Sequence, residues 1–243
     1  MDEKIIDILD RFFGENWFLD SGSLLGAVRE NSFLKTDCGI DVSIICNTTS
    51  ESDIRQAVEE LCKLGYLASK YKWAGKIYKY CLVQDKKNTY KYALDLHLFR
   101  EFDKTYYGCP QVSVTQNMGY MEKALFNLKK GSVLKRKKGI TGLIKYCFCY
   151  VYRYVFHCFG TEIDMDKLIR DDNSTYFWLI PKTMYHGTVK GFNSFNILNK
   201  PEEYLKFRYN DWRTPVSNWV TLRDDGGLKK CTRKDIDIYM ANS

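Results

Sequence analysis

The 243-residue chain has little proline and histidine and no long apolar run. Its four prolines lie at positions 110, 181, 201 and 215, so helices and strands can form in the first hundred residues without proline breaks. No apolar stretch reaches the ~18–20 residues that a membrane-spanning helix needs. The acidic N-terminus is not typical of a signal peptide. We therefore expect a cytoplasmic protein.

Paired metal-binding cysteines are also missing. The nine cysteines are scattered mostly through apolar stretches, and no Cys-x-x-Cys pair occurs. In a reducing compartment such cysteines are small buried hydrophobic residues. Cys147-x-Cys149, with His157 and Cys158, lies in a predicted apolar helix, and zinc binding there is the less favoured interpretation.

The charge balance is basic but modest. Lys and Arg number 37 and Asp and Glu 30, which gives a net charge of +7 with neutral histidines. Such an excess indicates an anionic partner, which could be a phosphorylated metabolite, a nucleic acid or a membrane surface. No nucleic-acid-binding motif accompanies it, so nucleic acid is not expected as a partner.

A basic cluster precedes an apolar helix that we predict at residues 140–159. The cluster includes Lys135, Arg136, Lys137 and Lys138. Two interpretations stay open. The segment is either a charged loop followed by a core helix, or a peripheral contact with anionic lipid or with a lipid-linked acceptor.

The pattern of apolar residues predicts an α/β (α+β) fold. Apolar residues at helical spacing predict helices around Ile5–Phe12 and Ile54–Leu61. Strands are predicted at 17–19, 40–46, 76–84 and 90–99. We expect a catalytic core at residues 1–110, with a mixed sheet flanked by helices. We expect residues 111–243 to form a mainly helical C-terminal half that packs on this core as one compact unit.

The first candidate feature is a possible phosphate site. A short strand runs through Gly22 and Ser23 into a helix that begins near Leu24, and Asp20 or a serine can cap that helix. The free N–H groups and the dipole at a helix N-terminus favour a bound phosphate. A Gly-Ser pair by itself is more often only a turn.

The second feature is a set of acidic residues on predicted strands. Asp37 and Asp41 lie at the beginning of the second strand, and Asp95 lies in a later one, between two leucines. A carboxylate buried there is costly unless it is paired or binds a metal. These acids, together with Asp20, therefore predict a Mg²⁺ (or Mn²⁺) site for phosphoryl transfer. The alternative is that Asp95 and His97 form the polar face of a half-exposed strand.

These residues lie in a stretch that resembles the LicD/fukutin family. Residues 17–42 read WFLDSGSLLGAVRENSFLKTDCGIDV, and the family typically has G-[ST]-L-L-G-x-x-R followed by a hydrophobic residue and a D-x-D-x-D-like run. A weaker likeness lies at residues 195–215, where FNILNKPEEYL and RYNDW resemble the family's closing motif.

The resemblance implies a polymerase-β-like nucleotidyltransferase fold. It also implies an Mg²⁺-dependent phosphotransferase that moves ribitol phosphate, glycerol phosphate or phosphocholine from a CDP-activated donor to a sugar hydroxyl and releases CMP. The acceptor would be a capsule or other surface polysaccharide, and it could be lipid-linked. A cytoplasmic protein, with or without peripheral contact at the inner face of the membrane, fits this activity.

The resemblance also assigns roles to individual residues. Gly22 and Ser23 would hold the donor phosphate, and Arg29 stands at the motif arginine. The first and last acids of the run are Asp37 and Asp41. Asp95 would be the third carboxylate that this fold uses.

The motif departs from the family at its middle acid, which is Gly39 in this chain. We expect Asp37, Asp41 and Asp95 to support catalysis still, with Asp37 or His97 accepting the proton of the acceptor hydroxyl. Two alternatives stay open. The chain could be a non-catalytic member that binds nucleotide or glycan, or a nucleotidyltransferase that acts on a small molecule or RNA.

Overall fold

The structure is a computed structural model. It describes residues 3–35, 37, 39–73, 75–84, 93–112, 162–164 and 175–230 and, in the tail, residues 235, 237, 238 and 241. The apolar helix predicted at 140–159 and the basic cluster at 135–138 lie outside these residues. Among the described helices, none combines the length and the apolar character that a membrane crossing requires.

Helices and strands alternate at the beginning of the chain, as the apolar pattern predicts. The helices are α1 (Glu3–Phe13), α2 (Ser21–Glu30), α3 (Glu51–Lys63), α4 (Pro201–Tyr209) and the short α5 (Thr221–Asp224). The strands are β1 (Trp17–Leu19), β2 (Gly39–Ile45), β3 (Tyr66–Trp73), β4 (Lys76–Gln84), β5 (Ala93–Phe102), β6 (Thr105–Val112), β7 (Glu162–Asp164), β8 (Thr175–Pro181), β9 (Thr188–Lys190), β10 (Asn196–Leu198) and β11 (Leu228–Lys230).

One mixed sheet organises the described residues. It contains nine strands in the order β11-β8-β6-β5-β4-β3-β7, with β2 parallel to β5 and β1 antiparallel to β2. Strands β9 and β10 form a separate antiparallel pair. The predicted α/β class, with a mixed sheet flanked by helices, is confirmed.

The core is built from the apolar faces of the first helices and from the central strands. In α1, Ile5, Ile8 and Leu9 are buried as predicted, and Phe13 is more deeply buried than Phe12. In α3, the buried positions are those of the predicted stripe, Ile54, Ala57, Val58 and Leu61. All three residues of β1 have no exposed surface, so β1 anchors the chain immediately before α2.

The C-terminal residues add strands to the same sheet. Strand β8 pairs with β6, and β11 pairs with β8. The helix predicted to begin at Pro201 is observed as α4, with proline in its first turn. The described part of residues 111–243 therefore contains both strands and helices. A domain boundary at residue 110 stays a prediction.

Strand register determines which acidic side chains meet. In the parallel pair formed by β2 and β5, Asp41 lies directly opposite Asp95. On the other side of β5, Lys79 of β4 lies opposite His97. Because neighbouring residues across a sheet are close, three strands bring four chemically active side chains to one place.

Candidate active site

Two carboxylates and an imidazole form the centre of the site. Ligand atoms of Asp41, Asp95 and His97 all lie within 4.8 Å of one another. His97 Nε2 is 3.4 Å from Asp41 Oδ1. The sequence predicted these three residues as site residues, and the strand register brings them together. A set of two carboxylate oxygens and one imidazole nitrogen suits a divalent cation.

A lysine that the sequence did not single out completes this centre. Lys79 Nζ lies 2.6 Å from Asp95 Oδ2. Burial favours the neutral amine of Lys79, but its pKa lies above the ordinary value because the Asp95 carboxylate stabilises the ammonium. Burial likewise opposes ionisation of Asp95, and Lys79 and then His97 lower its pKa. The Lys79–Asp95 pair is therefore ionised in the folded protein.

An unpartnered oxygen of Asp95 also fits a bound cation. Asp95 Oδ1 is buried and has no hydrogen-bond partner among the described residues. A buried carboxylate oxygen without a partner is costly, and a cation would satisfy it. Asp41, Asp95 and His97 are the residues that would hold such an ion.

Asp37 lies apart from this cluster, against the first turn of α2. A Cβ atom at Gly22 would lie 2.2 Å from Asp37 Oδ2, so only glycine lets the carboxylate approach so closely. Asp37 Oδ2 is buried and has no hydrogen-bond partner among the described residues. Burial, and then the negative charge of Asp41, raise the pKa of Asp37 to about 6.

Ser23 positions the strand instead of lining the cavity. Its side chain has no exposed surface, and its hydroxyl oxygen accepts the backbone N–H of Asp41 at 2.9 Å. The cavity wall at the beginning of α2 is formed by Ser21 and Gly22. The contact between Ser23 and Asp41 attaches α2 to β2, and a role of Ser23 in phosphate binding stays a prediction.

Asp20 caps α2 and does not join the metal cluster, so its assignment to the metal site was wrong. Its carboxylate accepts hydrogen bonds from Ser21 N at 2.6 Å and from Ser43 Oγ at 2.5 Å. Burial opposes its ionisation, but Arg208 and these hydrogen bonds lower its pKa below the ordinary value. Its oxygen atoms are therefore already engaged inside the protein.

The counter-charge of Asp20 comes from α4. Arg208 Nη1 donates to Asp20 Oδ1 at 2.8 Å, while Nε and Nη2 form a bidentate pair with Asp225 at 2.6 and 2.8 Å. The Tyr204 hydroxyl also donates to Asp20 at 3.0 Å. The Arg208 side chain is only 1% exposed. This buried network ties the C-terminal residues to the cap of α2.

Arg29 reaches the same cavity from the end of α2. Its Nη1 donates to the carbonyl oxygen of Trp212 at 3.2 Å, and its Nη2 pairs with Glu30 at 2.8 Å. Its Nε has no partner among the described residues. Arg29 therefore lies at the cavity wall, with its buried Nε unpartnered among the described residues.

A cavity of about 700 Å³ lies beside Asp41, Asp37 and the first turn of α2. Its polar lining includes Gly22, Arg29, Asp37, Asp41, Lys79 and His97. Another part of the lining is aromatic, and we define this aromatic wall as Trp178, Tyr209, Trp212 and Trp219. Tyr209 and Trp219 pack with ring centroids 5.0 Å apart. A volume of this size accommodates a small-molecule ligand.

Some functional residues could not be identified from the sequence. Lys79 lies in a tyrosine-rich strand, and the register of β4 against β5 places it opposite His97, from where its ammonium reaches Asp95. Arg208 and Asp225 belong to charged segments that normally indicate a surface. The predicted contact residues Lys135, Arg136, Lys137 and Lys138 lie outside the described residues.

Residues 14–137, just over half of the chain, match the family model described as LicD/FKTN/FKRP, nucleotidyltransferase domain. The resemblance of residues 17–42 to this family is thereby confirmed, whereas the weaker likeness at residues 195–215 lies beyond the matched range and stays a prediction. The matched range contains Gly22, Asp37, Asp41, Lys79 and Asp95, whereas α4 and the aromatic wall lie beyond it. No curated protein matches the chain at a significant level.

Proposed function

Because the chain belongs to the LicD/FKTN/FKRP nucleotidyltransferase-domain family and is thus a transferase of phosphate-containing groups, we propose that it transfers a phospho-alcohol from a CDP-activated donor to a sugar hydroxyl. The donor alcohol would be ribitol phosphate, glycerol phosphate or phosphocholine. The observation that carries the proposal is the pairing of Asp41 with Asp95, beside His97. Asp41 and His97 line a cavity to which the beginning of α2 also contributes.

Asp41, Asp95 and His97 would hold Mg²⁺ or Mn²⁺. When bound, the cation would neutralise phosphate oxygens and stabilise CMP as the leaving group. The chain itself supplies the positioning. The N–H groups at the first turn of α2, near Gly22, and the guanidinium of Arg29 favour a donor phosphate at this end of the cavity.

Asp37 is the residue that we propose as proton acceptor. The acceptor hydroxyl oxygen would bond to the phosphorus that carries the alcohol, the bond from that phosphorus to CMP would break, and the hydroxyl proton would pass to Asp37. Its pKa of about 6 makes it a stronger base than an ordinary aspartate and leaves it ionised at neutral pH. His97 is the alternative acceptor, in an arrangement where Asp41 and Asp95 alone would hold the cation.

The aromatic wall would bind the acceptor. Tyr209 and Trp219 are half-buried, and they line the same cavity as Asp37 and Asp41. Aromatic rings bind the apolar faces of sugars and keep a polar atom for hydrogen bonding. A surface-glycan acceptor, lipid-linked or free, therefore fits this side of the cavity.

A CMP-release assay with CDP-ribitol, CDP-glycerol or CDP-choline, Mg²⁺ and candidate acceptors tests the proposal. Asp41→Asn and Asp95→Asn are each expected to reduce kcat by about a hundredfold or more, since each removes a charge from the reacting centre. Asp103→Asn is a matched control, because Asp103 is exposed at the turn after β5. Wild-type rates in both site variants would contradict the proposal.

A second candidate function is non-catalytic binding of a CDP-type nucleotide or a glycan. Two observations favour it, the glycine at the middle acid of the motif and the ion pair that Lys79 forms with Asp95. Calorimetric titration with CDP, beside the CMP-release assay, separates the two functions. Binding without CMP release from any donor would favour the non-catalytic role.

A further inference from the structure

The backbone at Gly39 leaves no room for the acidic side chain that the family motif has there. A Cβ atom at Gly39 would lie 2.6 Å from the carbonyl oxygen of Ala93 and 2.9 Å from its Cβ atom. Cβ atoms essentially never make contacts this short, so a side chain at this position would require β2 and β5 to move apart. At this position the site has neither the middle carboxylate of the motif nor space for it.

The ammonium group of Lys79 lies beside the carboxylate of Asp95. Lys79 is on β4, its Nζ is 2.6 Å from Asp95 Oδ2, and its side chain is only 16% exposed. The same ammonium is 5.8 Å from the centroid of the Tyr71 ring. These contacts hold one positive charge in the lining of the cavity.

The ammonium of Lys79 has more N–H donors than hydrogen-bond partners in the described part of the chain. A lysine ammonium carries three N–H groups, and in the described part of the chain its hydrogen bond is to Asp95 alone. Lys79 also lines the cavity that contains Gly22 and Arg29. The remaining N–H groups are therefore available to an anion that enters this cavity.

We propose that Lys79 contacts the diphosphate of a CDP-type ligand directly and supplies positive charge that a divalent cation would otherwise provide. The proposal rests on the nucleotide donor of the proposed function. Lys79 neutralises Asp95 and so removes one source of repulsion toward a phosphate, and its free N–H groups form charge-assisted hydrogen bonds. As a consequence, the chain binds CDP measurably in the absence of any divalent cation.

The test is calorimetric titration of the full-length protein with CDP in EDTA. Wild type is expected to bind. Lys79→Met keeps the length of the side chain and removes its charge, and it is expected to weaken CDP binding by about tenfold to a hundredfold, as for loss of a charged hydrogen bond. Lys79→Arg keeps the charge and is expected to retain most of the affinity.

Lys76→Met is the matched control. Lys76 lies at the beginning of the same strand and is exposed, so this variant is expected to bind CDP as wild type does. Thermal unfolding of each variant shows whether it is folded at the temperature of the titration. A purely structural role of Lys79 would lower the melting temperature of Lys79→Met and leave its CDP affinity unchanged.

Two results would overturn the inference. One is wild-type CDP binding in EDTA by folded Lys79→Met, and the other is a wild-type protein that binds CDP only when Mg²⁺ is present. Either result leaves the proposed function standing, provided that CMP is released from a CDP-alcohol with Mg²⁺. Failure of the proposed function is recognised separately, as absence of CMP release from every donor.

Discussion

Replacing Asp37 by asparagine is expected to stabilise the folded protein at neutral pH. Burial and the negative charge of Asp41 raise the pKa of Asp37 from 3.8 to about 6. The folded state therefore holds a proton on Asp37 between pH 4 and 6 that the unfolded chain releases. Below pH 3.8, the pKa of Asp37 in the unfolded chain, the free energy of unfolding contains the full benefit of protonated Asp37. This benefit is lost as the pH rises through about 6, the pKa of Asp37 in the folded protein.

The size of the effect follows from this difference in pKa. A difference of about two units corresponds to ~3 kcal/mol of unfolding free energy at most. Because Asp37 is only half-buried, solvent screening reduces the effect to ~1–1.5 kcal/mol. Asparagine has nearly the same volume and carries no charge. The gain corresponds to a rise in melting temperature of roughly 2–6 °C for a chain of this length.

Urea unfolding in EDTA, at a series of pH values from 4 to 7.5, measures this gain. The difference between Asp37→Asn and wild type should be small at pH 4, should grow up to about pH 6 and should then stay constant. Asp103→Asn, at an exposed position, is the control and should show no such pH dependence. A variant that is less stable than wild type at pH 7.5, or a gain that is the same at every pH, would refute the reasoning.

Two further substitutions test the packing around the site. Arg208→Met leaves the buried carboxylates of Asp20 and Asp225 without their counter-charge and is expected to reduce the free energy of unfolding by about 3–5 kcal/mol. Urea unfolding should show no comparable decrease in the free energy of unfolding for the control Arg223→Met, whose side chain is exposed. A decrease below ~1 kcal/mol for Arg208→Met would contradict the role of Arg208 as counter-charge to Asp20 and Asp225. Gly39→Ala places a Cβ atom 2.6 Å from the carbonyl oxygen of Ala93 and is expected to reduce the free energy of unfolding by roughly 1–3 kcal/mol. An unchanged melting temperature would show that β2 and β5 can separate.

The local patterns of the sequence predicted most of the elements that surround the site. The helical stripe in α3 and the boundaries of β4 agree with the structure, because periodic burial is a property of neighbouring residues. Asp95 was identified because it interrupts an apolar strand, and His97 because it shares that strand's polar face. Asp41 was identified because it begins a strand and matches the acidic run of the family. Their proximity depends on the parallel register of β2 and β5, which no local pattern determines.

The parts of the site that could not be predicted depend on long-range pairing. Asp20 had been expected near the metal, but a buried arginine from α4 engages its carboxylate. Arg208 lies on a helix in which charged residues are frequent, and nothing in its neighbourhood distinguishes it from exposed lysines and arginines. Lys79 is similar, since its partner Asp95 lies on another strand.

The network around Arg208 also affects how the chain can fold. Its partners are Asp20, at the beginning of α2, and Asp225, close to β11. A fragment that ended near residue 110 would retain a buried Asp20 and lack the arginine that neutralises it. Early and late parts of the polypeptide are thus expected to unfold in a single cooperative transition, and the first helix of the site acquires its final stability only after the chain has been synthesised beyond α4.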